Sequence, residues 1–247
     1  MNIQKLFDYS VPLVAASTIL VVGLCAIGFY VSKVVYDIKL SSDVVEVTGS
    51  AKEAVVADTA RWTINLDAKT GSDNQQDGFV RLESATKKIT DYLTKSGFTE
   101  FETPAGNSNP TYIYPQNGEP ILTGHTVSRS IVVRSNDVKG LSALANNVNP
   151  LVGPGYNVTT GALELTYSKL TDMRVKLLSQ AIADASNRAK AIVQDSGRKI
   201  GVLRSASGGV VQVLPEGGVE ISDSGSYDTQ SLKKEVMVTV RATFSLK

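Results

Sequence analysis

Apolar positions along this chain follow three spacings, and each spacing predicts a different kind of element. From Tyr9 to Ser32 they are almost continuous, and the run VPLVAASTILVVGLCAIGFYVS carries no charge between Asp8 and Lys33. About 20 helical residues, rising ~1.5 Å each, cross a ~30 Å hydrocarbon core, so this run predicts a transmembrane helix over 9–36. Residues 1–8 are then a short cytoplasmic N-terminus and 37–43 a linker. Val11 and Leu20 belong to this membrane anchor, as do Gly28, Tyr30 and Ser32. Tyr30, like Tyr36, falls where an interfacial aromatic belt would lie. Gly28 and Ser32 form a small-xxx-small pair of the kind that lets helices approach. A cleaved signal peptide is the rival reading, but its apolar stretch runs to only ~7–15 residues and its basic end is stronger than Lys5 alone.

The second spacing is strict alternation. In residues 59–69, TARWTINLDAK, Ala60, Trp62, Ile64, Leu66 and Ala68 share one face, which predicts a half-buried antiparallel strand. Near the C-terminus Val236, Val238, Val240, Ala242, Phe244 and Leu246 alternate in the same way. Strands are also predicted over 44–51, 121–135, 157–167 and 199–214, the last broken at Gly208-Gly209.

The third spacing is helical. Phe79, Leu82, Ile89 and Leu93 line one face of a helix over 75–96, which Gly97 ends. Val138, Leu141, Leu144 and Val148 predict a short helix capped by Asn136 or Asp137. Met173, Leu177, Ala181, Ala185 and Ile192 mark the buried side of a long helix over 170–196, and its alanines suit close packing on a sheet. Residues 99–120 read as a long loop or irregular hairpin, and 215–231 as a flexible loop. The fold class is α+β: an N-terminal transmembrane helix, then a domain over 44–247 of mainly antiparallel strands with one short and two longer helices.

Composition narrows the function. Lys plus Arg number 25 against 24 Asp plus Glu, a net charge of +1, with no basic excess of the kind nucleic acid requires. Cys25 is the single cysteine and lies inside the apolar run, so no internal disulfide can form. Lys5 and the terminal amine balance Lys33 and Lys39, so charge does not set the direction of insertion.

Two stretches carry a resemblance. In VVEVTGSAKEAVVADTARWTINL, Val47, Thr48, Gly49 and Ala51 form V-T-G-x-A, followed by Ala60, Trp62 and Ile64 as A-x-W-x-I. Asp184-Ala185-Ser186-Asn187-Arg188-Ala189 forms D-A-x-x-R-A in the long helix. With the order of elements over roughly 44–246, these resemble the SIMPL-domain family, also called the periplasmic immunogenic protein family. The resemblance implies an envelope location, self-assembly into large rings or cages, and a loose association with stress. It carries no catalytic residues. Many members have a cleaved signal peptide, whereas this chain is expected to keep its helix.

Candidate chemistry is sparse. His125 is the one histidine and has no companion for a metal or a triad. Ser-x-x-Lys occurs at Ser84/Lys87 and Ser231/Lys234, without the motifs that accompany it in acyl-transfer enzymes. The glycine pairs lack a phosphate-binding context. No enzyme activity, cofactor or metal is expected. Tyr112 and Tyr114, in a Pro-rich segment, are candidates for contact with a neighbouring subunit, the alternative being simple packing over the sheet edge.

The reading is a single-pass protein of a bacterial inner membrane with its C-terminal domain in the periplasm. It forms a ring- or cage-like homo-oligomer with a structural, scaffolding or stress-related role. Its partners are itself and membrane lipid, not nucleic acid. The alternative is a periplasmic binding module for a small molecule, peptide or envelope polymer, with the 99–120 and 215–231 loops lining the site.

Overall fold

The computed structural model describes residues 3–41, 43–116, 118–218 and 224–247, and for 3–15 and 37–41 the backbone alone. Among the described residues there are four α-helices: α1 (Ile3–Ser41), α2 (Gln75–Lys95), α3 (Val138–Ala145) and α4 (Leu170–Val193). The strands are β1 (Val44–Val56), β2 (Thr59–Thr70), β3 (Phe101–Glu102), β4 (Asn107–Ile113), β5 (Ile121–Ser135), β6 (Asn157–Thr160), β7 (Glu164–Thr166), β8 (Ile200–Gly208), β9 (Gln212–Pro215) and β10 (Lys233–Leu246). The class is α+β, and the strand pairings of known register are antiparallel. The chain divides into two compact units, one of residues 1–50, 180–209 and 239–247, the other of 51–179 and 210–238. Residues 44–247 therefore contribute to both.

α1 contains a segment, Ala16–Tyr36, long and apolar enough to cross a membrane. Helical backbone continues beyond it to Ser41, because VVYDIKLS holds neither glycine nor proline to stop it.

In the second unit β2 lies at the centre of a six-stranded sheet, between β5 on one side and β6 and β7 on the other, while β3 and β4 pair with the far edge of β5. The alternation in β2 is realised fully: Ala60, Trp62, Ile64, Leu66 and Ala68 are all buried. They form one core with Val127, Ile131 and Val133 of β5, Leu82, Ala85, Ile89 and Leu93 of α2, and Leu141 of α3. Each large side chain buried here contributes roughly 1.5–3 kcal/mol.

Phe79 departs from its expected place on the buried face of α2 and is 40% exposed. Gly78 faces the sheet instead, because a Cβ there would come 2.7 Å from Val127 Cγ2. Gly97 ends the helix region in the left-handed conformation (φ +91°). Asp137, not Asn136, caps α3: its carboxylate accepts a 2.9 Å hydrogen bond from the Gly140 amide. The expected strand 157–167 is two short strands, β6 and β7, broken at 161–163. Its residues part accordingly, with Leu163 and Leu165 in the core just described and Tyr167 against a second cluster. That cluster holds Val55, Met173, Leu177, Val213, Val236 and Val238.

In the first unit β10 pairs with β8, from Val240↔Gly208 to Leu246↔Ile200, with two register shifts near Phe244. Val240, Ala242 and Phe244 are buried, as are Ala181, Ala185, Ala189 and Val193 of α4. The α4 stripe repeats every four residues, so Val193 is inside and Ile192, expected inside, is 62% exposed.

Candidate interaction surfaces

Outside the two cores, large apolar side chains are exposed in α1 and at the β4–β5 hairpin. Along Ala16–Tyr36 every residue is exposed, including Leu20 at 63% and Tyr30 at 70%. Ser32 is exposed, and a Cβ on Gly28 would meet nothing within 4 Å. Gly28 and Ser32 thus leave an open notch one turn apart on the helix. The side chain of Val11 lies outside the described residues; its backbone is helical.

The β4–β5 hairpin resolves the irregular region 99–120. Pairing runs from Asn107↔Ser128 to Ile113↔Ile121, with a register shift between Thr111 and Tyr112. Near its tip Tyr112, Ile113, Tyr114, Ile121 and Leu122 are 43%, 59%, 74%, 58% and 37% exposed. The two tyrosine rings stand 6.4 Å apart at 51°, a tilted arrangement favourable for an aromatic pair. Residue 117 lies outside the described residues.

In the first unit the two stretches with family resemblance meet. Gly49 of β1 lies directly against α4, where a Cβ would collide with the Ala181 carbonyl oxygen. Beside it the Ser50 amide donates to Asp184 Oδ2 at 2.9 Å. Arg188 Nε lies 2.8 Å from the same oxygen, and Arg188 also reaches Ser50 Oγ at 3.4 Å. Asp184 and Arg188 therefore serve a packing junction, and their i,i+4 spacing makes the pair possible.

Asp58 and Asp228 do comparable work in the second unit. Burial alone would raise the pKa of each. For Asp58 the Ser168 amide (2.7 Å), the Ser168 hydroxyl (2.8 Å) and Thr59 outweigh it, and the carboxyl sits below its ordinary value. For Asp228 the amides of Gln230 and Ser231 together with Lys234 do the same.

Lys234 is the residue that pattern reading missed. Its side chain is fully buried on the inward face of β10, donating to the Asp228 carbonyl at 2.7 Å and to Asp228 Oδ2 at 3.3 Å. The even-numbered register of Val236, Val238 and Val240 was the available signal, since it places 234 on the same face. Lys234 is committed to Asp228, so the Ser231/Lys234 pattern supplies no free base. Segment 224–232, expected to be flexible, is bonded in place: Asp228 to Val213, Thr229 to Leu165 and Leu232 to Ala57. Residues 219–223 of that loop lie outside the described residues.

The other candidates take structural places. Ser84 and Lys87 lie on the exposed side of α2. His125 pairs with Thr70 and Pro110 in the sheet, and its Nδ1 is buried without a hydrogen-bond partner. Among the described residues no three His, Cys, Asp or Glu side chains gather closely enough to hold a metal ion.

The family model described as SIMPL, protein of unknown function (DUF541), matches residues 45–244, and the chain belongs to that family. No curated protein matches the chain.

Proposed function

We propose that this SIMPL-family chain is a membrane-anchored envelope protein that associates with copies of itself. Its C-terminal part stands in the periplasm of a bacterial cell, and one helix holds it in the inner membrane. The assembly is a ring- or cage-like homo-oligomer with a scaffolding or stress-related role, and it performs no catalysis. The observation that carries the reading is the Ala16–Tyr36 segment, a 21-residue apolar span with no buried residue. Left in water, that surface would be costly; lipid satisfies it. The exposed Tyr112–Tyr114 cluster supplies a surface for contact between copies.

The test is size-exclusion chromatography with light scattering on the full chain extracted in a mild detergent. A homo-oligomer of defined mass is expected, and a monodisperse monomer would overturn the assembly. Membranes washed with alkaline carbonate test the anchor separately: the chain should stay with the lipid pellet. The alternative, a binding module built on the 99–120 and 215–231 loops, draws less support. Residues 107–113 are committed to β4, and 224–232 are bonded to the neighbouring strands.

A further inference from the structure

A basic groove lies at the end of α4 in the first unit. Asn187, Lys190, Gln194, Arg198, Lys199 and Ile200 line about 670 Å³, and none of its lining residues is acidic. That volume falls within the ~300–1,000 Å³ of ordinary ligand sites. Arg198 is ion-paired with Asp43 at 2.7 Å. Lys190 and Lys199 have no ion-pair partner among the described residues.

Lys190 alone would need no ligand. It stands in the last turn of α4, where a cation complements the partial negative charge of a helix C-terminus. Lys199 lies beyond the helix and has no such account. The Asp43 carboxylate meets Arg198, and neither lysine is ion-paired to it.

The chain itself fixes how far this groove stands from the proposed membrane. Five residues of helix separate Tyr36 from Ser41, a rise of about 7.5 Å. Two more residues reach Asp43, at most ~7 Å further. Asp43 is therefore within roughly 15 Å of the hydrocarbon edge, of which ~5–7 Å is headgroup layer. The remaining ~8–10 Å is about one Debye length at physiological salt, and Arg198 already touches Asp43.

We infer that the Lys190/Arg198/Lys199 groove binds the phosphate of an anionic phospholipid headgroup at the membrane surface. Lys190 and Lys199 supply the free charge, and Arg198 shares its guanidinium between Asp43 and the phosphate. This rests on α1 being a membrane anchor.

The test uses the full chain in dodecyl maltoside micelles doped with phosphatidylglycerol, with phosphatidylcholine, or with neither but containing glycerol 3-phosphate. The thermal midpoint is followed against mole fraction to give an apparent affinity. Phosphatidylglycerol should stabilise and phosphatidylcholine should not. Each of Lys190→Gln and Lys199→Gln should weaken that affinity roughly fivefold, the worth of one basic side chain near an anionic surface. The Lys190→Arg/Lys199→Arg variant should keep it, which separates lost charge from lost folding. Equal shifts from both lipids, or an undiminished preference in the glutamine variants, would overturn the inference. So would glycerol 3-phosphate matching phosphatidylglycerol, which would make the groove a site for free phosphate esters. Failure of the anchor reading shows elsewhere, as release of the chain by alkaline carbonate.

Discussion

Gly49 and Ala185 approach so closely that a methyl group on Gly49 would sit 2.7 Å from the Ala185 Cβ. The glycine of V-T-G-x-A and the alanine of D-A-x-x-R-A are thus two halves of one contact between β1 and α4. Gly49→Ala should cost about 1–3 kcal/mol through overpacking, read as a lowered urea midpoint by circular dichroism of the full chain in detergent. Adding Ala185→Gly should restore only part of the loss, because the Ala181 carbonyl oxygen still obstructs the new methyl group. An unchanged midpoint for Gly49→Ala would show that the helix can back away from the strand.

Buried Lys234 pairs with half-buried Asp228, so their replacement should be non-additive. Lys234→Ala removes a buried side chain and its hydrogen bonds to Asp228 and should cost about 1–3 kcal/mol. Lys234→Met with Asp228→Asn removes both charges and should cost clearly less than the two single changes summed. Additive losses would mean that the pair is not coupled.

Asp58 and Asp228 both have folded pKa values below the ordinary carboxyl value. A depressed carboxyl contributes stability fully above its unfolded value, about 3.9 for Asp, and loses it as pH falls through the lower folded value. The wild type should therefore lose stability below about pH 4, and Asp58→Asn should be less stable at neutral pH with a flatter acid limb. Thermal midpoints measured between neutral and strongly acid pH check this. Parallel curves would place the acid sensitivity in other groups.

If the hairpin tip joins copies of the chain, Tyr112→Ser with Tyr114→Ser should shift the assembly toward smaller species in light scattering. Thermal stability of the dissociated chain should change little, within about 0.5 kcal/mol, because both rings are exposed. An unaltered mass would move the interface elsewhere.

Much of this fold was legible wherever one face of an element is buried and the other is not. β2 and the core of β10 follow from alternation alone, since a one-residue slip would turn every side chain outward. The errors have local causes. Phe79 looked inward by apolarity, but the close approach of Val127 admits only Gly78 at that point. Ile192 lost its place to Val193 because a stripe of small residues repeats by strict fours. Lys234 is expected in the loop leading into the last strand, although the alternation continued backwards places it on the inward face; the pairing that makes its burial tolerable lies in a segment with no periodic signal. The groove at Lys190 and Lys199 was invisible for a different reason. It joins the end of α4 to the turn leading into β8, which carries no periodic signal, and its Arg198 meets Asp43, 155 residues away in sequence.

That contact has a mechanical meaning. Asp43 is the first described residue past α1, and its bonds enter the sheet. Its carbonyl takes the Leu246 amide at 2.9 Å, while its carboxylate holds Arg198. Among the described contacts, tension on the tether is therefore loaded first onto these two bonds, and they splice the leading end of β1 to the last strand of the chain. Breaking either one alone leaves the other carrying the pull, so the junction should fail by steps rather than tear at once.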